Sequence, residues 1–212
     1  MVDRSGYTFV QMMQQPSSAA VLSVVATLGG TARTSTILDA GVHPRDLYAA
    51  RDAGVLVEVS RGVYRLAELP LTEPDLIAVA ARMPRAILCC VTALHLHGLT
   101  QEIPRAVHVM LPRGAHPARL DHPPLEVYHC SGEALTTGVE EREVDGVPIR
   151  VTTPAKSVAD AFRFRSRLGM ETAVDALKQA LRARAATPAE IGRMARVCRV
   201  EAVVRPYLEA LG

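Results

Sequence analysis

Apolar positions change period several times along the chain, and each change marks an element. Val21, Leu22, Val24, Val25 and Leu28 recur at helical spacing in AAVLSVVATL, which predicts a helix capped by Ser17 or Ser18 and stopped by Gly29-Gly30. ARTSTILDA predicts a second, short helix, capped by Thr31 or Thr34, with Ile37 and Leu38 inward and Gly41 at its end. A third helix follows Val42-His43 and runs through RDLYAARDA to Gly54. Pro44 suits its first position, where no N–H donor is needed. The period then drops to two: VLVEVS and GVYRL flank Ser60-Arg61-Gly62, which predicts two short strands around a tight turn. Residues 1–16 have no clear period and are expected to be irregular.

Beyond Pro70 and Pro74 the pattern is more varied. Thr72 is placed to cap a helix through DLIAVAARM, AILCCV reads as a short strand, and Thr92 is placed to cap ALHLHG, which Gly98 ends. AVHVML and LEVYHC alternate as strands on either side of the loop GAHPARLDHPP. Asp145-Gly146 supplies the positive φ angles of a hairpin turn between Glu143 and Val147, with PIRVTT as the returning strand. Thr153 and Pro154 then open a helix over PAKSVADAFRFRSRL, another covers 171–184, Thr187 caps a third through IGRMARVCR, and a last helix covers about 200–211. The predicted fold class is α+β: an N-terminal winged helix-turn-helix over 1–69, followed over 70–212 by a mixed α/β domain ending in several helices. A small α+β domain that shares this element order by chance is the alternative.

Composition narrows the function classes. The chain has 212 residues, 49% hydrophobic and 22% charged, as in ordinary globular proteins. Its net charge of +2 excludes a polybasic protein, and its bases are 22 Arg with only Lys156 and Lys178. Residues 1–69 carry six basic and six acidic side chains, so any nucleic-acid contact there depends on where the arginines are placed. Residues 160–212 carry ten and six, a mildly basic tail. Cys89, Cys90, Cys130 and Cys198 have no metal-ligand spacing and read as buried free thiols of a reducing compartment. No stretch is apolar enough for a membrane helix, and MVDRSGYTFVQMMQQPSS lacks the apolar core of a secretory signal, so a cytoplasmic protein with no membrane partner is expected.

The third helix carries the candidate chemistry. At about 100° per residue, Leu47 and Ala50 share one face, while Arg45, Tyr48, Ala49 and Asp52 lie broadly opposite, with Arg51 at the flank. Arginine and tyrosine around a small alanine suit the major groove of DNA. At the tight turn, Ser60 and Arg61 would reach a phosphate or the minor groove, and Arg65 a neighbouring phosphate. His95 and His97 point about 200° apart on a helix and cannot share a metal. No HExxH motif or phosphate-binding glycine loop occurs, so neither metal nor cofactor is expected. Lys156 and Asp160 read as an intrahelical ion pair, and Glu140, Glu141, Glu143 and Asp145 as a solvated hairpin.

GVHPRDLYAARDAGVLVEVSRGVYRL resembles the N-terminal winged-helix segment of AbiEi-type antitoxins, the transcriptional regulators of type IV toxin–antitoxin systems. VTALHLHGLTQEIP is similar to the element that opens that family's C-terminal domain, and VDGVPIRVTTPAKSVADAFRF to its hairpin-strand-helix signature. The resemblance spans roughly residues 17–205. It implies a DNA-binding repressor of its own operon, acting on inverted repeats in double-stranded promoter DNA. It implies an antitoxin to a nucleotidyltransferase-like toxin encoded next door, and no catalytic residues. Carried onto this chain, the DNA-contacting set is Arg33, Thr34, Ser35, His43, Arg45, Tyr48, Arg51, Ser60, Arg61 and Arg65. Arg163, Arg165, Arg167, Arg182 and Arg184 either add DNA contacts or face an acidic partner. Two other readings stay open: a stand-alone winged-helix transcription factor whose C-terminal domain binds a ligand or dimerises, and a DNA-processing enzyme.

Overall fold

The computed structural model describes residues 16–69 and 72–211; residues 1–15, expected to be irregular, and Pro70, Leu71 and Gly212 lie outside the described residues. The chain is mixed α and β, and by internal packing it forms two units. One runs to Ala81 and includes Glu143–Pro148; the other comprises Arg82–Arg142 and Ile149–Gly212.

The first unit begins with α1 (Pro16–Thr27), β1 (Thr31–Arg33), α2 (Thr34–Asp39) and α3 (Pro44–Asp52). It continues with β2 (Leu56–Ser60), β3 (Val63–Leu66) and α4 (Pro74–Arg82). The three strands form an antiparallel sheet in the order β1-β3-β2, with Thr31 opposite Arg65 and Val57 opposite Arg65 on the other side. Val21 and Val25 of α1, Ile37 of α2, Leu47 and Ala50 of α3, and Leu56, Tyr64 and Leu66 of the sheet make one buried cluster.

Several helix starts differ from expectation. α1 begins at Pro16, ahead of Ser17 and Ser18. Thr31 belongs to β1 and Thr34 is the first residue of α2, whose N-cap is Arg33, so neither threonine caps that helix. A three-residue strand leaves no readable alternation, which is why β1 is invisible in the pattern. Thr72 turns its amide and hydroxyl to the Asp145 carboxylate, at 2.8 and 3.1 Å.

The second unit holds β4 (Ile87–Leu88), α5 (Cys90–Leu96), β5 (Val107–Pro112), β6 (Leu125–Cys130), α6 (Glu133–Thr136), β7 (Val139–Val144) and β8 (Val147–Thr152). Then come α7 (Pro154–Arg163), α8 (Arg165–Leu168), α9 (Met170–Arg182), α10 (Pro188–Val197) and α11 (Glu201–Leu211). The sheet order is β6-β5-β4-β8-β7, with β5 antiparallel to β4 and parallel to β6, and β4 parallel to β8. The β7–β8 turn has positive φ at both Asp145 (51°) and Gly146 (79°), as its sequence predicts.

α5 starts at Cys90 rather than at a Thr92 cap; the Thr92 hydroxyl accepts instead from the His108 amide at 2.9 Å. The single helix predicted over 154–168 breaks at Phe164, whose ring packs 4.7 Å from that of Tyr128. α10 opens with the expected Thr187, in a reciprocal capping box with Glu190. All four cysteines are buried and free.

α7 is buried from Ala155 to Phe162, packed among α5, α9, α10 and α11. Its Lys156 and Asp160 are fully enclosed, with Nζ 2.6 and 2.7 Å from the two carboxylate oxygens and the Cys198 thiol 3.4 Å from Oδ1. Burial works against the Lys156 charge, but the Asp160 carboxylate beside it holds the ammonium above its ordinary pKa. Burial also pushes the Cys198 thiol up to about 12, so it stays protonated. The i,i+4 spacing that predicts an intrahelical pair therefore gives a buried one. Lys156→Met alone strands a carboxylate in the core and is expected to cost about 3–5 kcal/mol, whereas Lys156→Met with Asp160→Leu recovers most of that stability. Urea midpoints of the two variants check this.

Candidate nucleic-acid interface

α2 and α3 are joined through Gly41 (φ 93°) and His43. His43 caps α3: its Nδ1 accepts from the Arg45 amide at 3.2 Å, and Pro44 occupies the first turn. Leu47 and Ala50 are wholly buried, so the helix can turn only one face outward. That face carries Arg45, Tyr48, Ala49 and Asp52, all exposed. The Arg45 guanidinium has no ion pair or side-chain hydrogen bond among the described residues. Arg51 donates Nε and Nη2 to Asp52 Oδ1 at 2.9 and 2.7 Å, and its guanidinium lies 5.2 Å from the centre of the Tyr48 ring. The Asp52 hydrogen bond raises the Arg51 pKa further. Asp52 thus neutralises Arg51 rather than the helix's leading cation, Arg45.

The β2–β3 turn is pinned at two points. Gly62 donates its amide to Glu58 Oε1 at 2.8 Å, and its carbonyl accepts from Thr34 N at 2.8 Å and Thr34 Oγ1 at 3.1 Å. Gly62 needs its positive φ of 72°, and a Cβ there would meet Thr34 Oγ1 at 3.3 Å. Arg61 at the turn is exposed, as are Arg33 and Ser35 around the start of α2, while Thr34 is half-buried. Ser60 ends β2. Thr34 ties the turn to α2, which brings the start of α2 and the β2–β3 turn together.

Arg65 lies elsewhere than its sequence reading placed it. It is buried, not projecting: Nη1 donates to Thr31 Oγ1 at 2.7 Å and to the Asp145 carbonyl at 3.0 Å, Nε donates to the Leu69 carbonyl at 3.3 Å, and Nη2 lies 3.5 Å from Asp145 Oδ1. Asp145 is likewise no solvated hairpin acid, its side chain being only 8% exposed. Burial pushes its carboxyl up, but the hydrogen bonds from Thr72 and Glu73 and the Arg65 guanidinium outweigh this and hold it below the usual carboxylate range. Gly146 next to it has no room for a side chain: a Cβ would lie 2.4 Å from that of Thr31.

The C-terminal arginines divide in the same way. Arg163 donates to the Cys198 carbonyl at 3.1 Å and Arg165 to the Phe162 carbonyl at 2.9 Å. Arg167 pairs with Glu126, donates to the Val127 carbonyl at 2.9 Å and lies 4.0 Å over the Tyr128 ring. Arg182 and Arg184 are exposed. Among the described residues no cluster of His, Cys, Asp and Glu could hold a metal ion, and no helix is long and apolar enough to cross a membrane.

Residues 20–67 match the family model described as transcriptional regulator, AbiEi antitoxin. The match covers α1 through β3, the elements that carry this surface. It supports a transcriptional regulator or antitoxin role, in a family that is not a class of enzymes. No curated protein matches the chain. The crystal structure of RV2827C protein from Mycobacterium tuberculosis is similar in fold, with a TM-score of 0.55 at 14% identity, over 93% of this chain and 82% of that one.

A carboxylate held below its ordinary pKa stabilises the fold above the unfolded value and loses that effect as pH falls through the folded one. Asp145→Asn is therefore expected to lower stability at pH 7, and the gap from the parent protein to narrow as pH drops below about 4. Urea midpoints at pH 7 and pH 3 measure the gap; a gap that widens in acid would contradict the assignment.

Proposed function

We propose that this protein is a DNA-binding transcriptional repressor whose winged helix-turn-helix spans residues 1–69, with α3 as recognition helix and β2–β3 as wing. The observation that supports this most is the outward face of α3, where Arg45, Tyr48 and the small Ala49 are exposed together and Arg45 has no internal ion pair among the described residues. An arginine near a helix N-terminus is the group that reads base edges in the major groove, and a small neighbour lets the helix seat deeply. Arg61 at the turn, with Arg33 and Ser35, would hold phosphates and fix the register. Thr34, His43, Arg51 and Ser60 complete the surface at its edges. Arg65 belongs to the scaffold beneath the wing rather than to the contact set.

On the AbiEi-type reading, the DNA is the promoter of the protein's own operon, with inverted repeats. Residues 70–212 then serve in neutralising a nucleotidyltransferase-like toxin. The protein would act without catalysis, in the cytoplasm. A stand-alone regulator controlled by a ligand is the second reading, and an arginine-lined cleft in the second unit favours it.

The test is a gel-shift titration on DNA from just upstream of the gene. Arg45→Ala combined with Arg61→Ala should weaken binding by about 1–3 kcal/mol for the base contact of Arg45, with a further, sequence-independent loss from the phosphate contact of Arg61. Equal affinity for the variant and the parent protein would overturn the assignment of α3 and the wing.

A further inference from the structure

The second unit contains a concave surface of its own. Arg113 follows β5, Arg163 closes α7, Arg193 and Arg196 lie one turn apart on α10, and Arg199 follows the end of that helix. Together with Ser131 and Gly132 of the loop before α6, and with Glu133 and Ala134 of α6 itself, they line a cleft of about 630 Å³, to which Glu133 brings a carboxylate. Five arginines therefore line one shared volume.

Helix ends explain part of this arrangement. Arg163 and Arg196 sit in the last turns of α7 and α10, where a cation meets the negative end of the helix dipole. Arg163 donates to the Cys198 carbonyl at 3.1 Å, and Arg196 pairs with Glu201 at 3.2 Å. The other three have no such role. Arg113, Arg193 and Arg199 are exposed and have no ion pair or side-chain hydrogen bond among the described residues. Arg199 also holds a left-handed backbone (φ 58°) at the position after the α10 cap, where glycine is favoured. A left-handed arginine that shares a cleft with the unpaired Arg113 and Arg193 is unfavourable in the empty protein, and an anion would relieve the repulsion.

The size of the cleft indicates the class of anion. It lies within the roughly 300–1,000 Å³ of small-ligand sites. Guanidinium forks match phosphate oxygens two at a time, and arginines from separate elements can grip more than one phosphate. We propose that this cleft binds a small ligand carrying two or more phosphate groups, which would act as an effector of this regulator. The effector role rests on the DNA-binding reading, whereas ligand binding itself does not depend on the α3 surface and is tested separately from it.

The test is calorimetric titration of the full chain with inorganic tripolyphosphate and, separately, with ATP, at fixed ionic strength set by sodium chloride. Saturable binding of at least one is expected, with an affinity that falls about tenfold or more in Arg193→Glu combined with Arg199→Glu. Both residues are exposed, and with like charges removed from the cleft the thermal midpoint should not fall; Arg113→Gln, on a separate element, repeats the test with a milder change. Tighter binding of ATP would assign a nucleoside-bearing ligand, and equal binding a phosphate chain alone. Absence of saturation, or saturation that neither variant alters, would overturn the proposal. So would a random DNA duplex whose binding the variants weaken while tripolyphosphate fails to saturate, since the cleft would then be a surface for the DNA backbone.

Discussion

Leu47 and Ala50 are fully buried against α1 and β2, and this packing sets the rotation of α3 about its own axis. Burying a leucine side chain is worth roughly 1.5–3 kcal/mol, and a nine-residue helix cannot turn without exposing it. Everything on the outward face follows from that choice. Arg45, Tyr48 and Ala49 face solvent because Leu47 and Ala50 do not. The exposed Arg51–Asp52 pair adjusts the charge of that face but has too little energy to set its orientation.

The sheet beneath depends on β3, which is covered on both sides. Tyr64 and Leu66 point into the core formed by α1, α2 and α3. Val63 joins Ile77 and Val147 in a separate cluster, and Arg65 directs its hydrogen bonds to Thr31, Leu69 and Asp145. A strand with all four residues buried does not alternate between core and solvent. The hairpin turn at Asp145-Gly146 completes this unit although it is remote from it in sequence.

Local signals in the sequence are reliable where short-range chemistry determines the outcome. Pro44 at a first turn, the Thr187–Glu190 capping box, and the Asp145-Gly146 turn are all legible because their partners lie within four residues. Leu47 and Ala50 are legible because helical periodicity fixes a face. What stays hidden depends on partners far along the chain. Arg65 reads as an outward base that reaches a phosphate until Asp145, 80 residues later, is placed beside it. Thr72 reads as a helix cap until the same carboxylate takes its hydroxyl and amide. Spacing pairs Lys156 with Asp160 correctly, yet nothing local shows that four helices would enclose them. The arginine cleft is hidden for the same reason: its five members come from three stretches of the chain, at Arg113, at Arg163 and over Arg193 to Arg199.

The account assigns recognition to a fixed helix face and positioning to phosphate contacts, so both specificity and salt sensitivity should be present together. The most direct measurement is the affinity of the full chain for DNA from just upstream of its own gene, titrated with salt beside random DNA of equal length. The account predicts tighter binding to the upstream DNA, with log affinity falling linearly as log salt rises, at a slope of about 0.9 per phosphate contact. Equal affinity for the two DNAs, or an affinity that does not respond to salt, would contradict it.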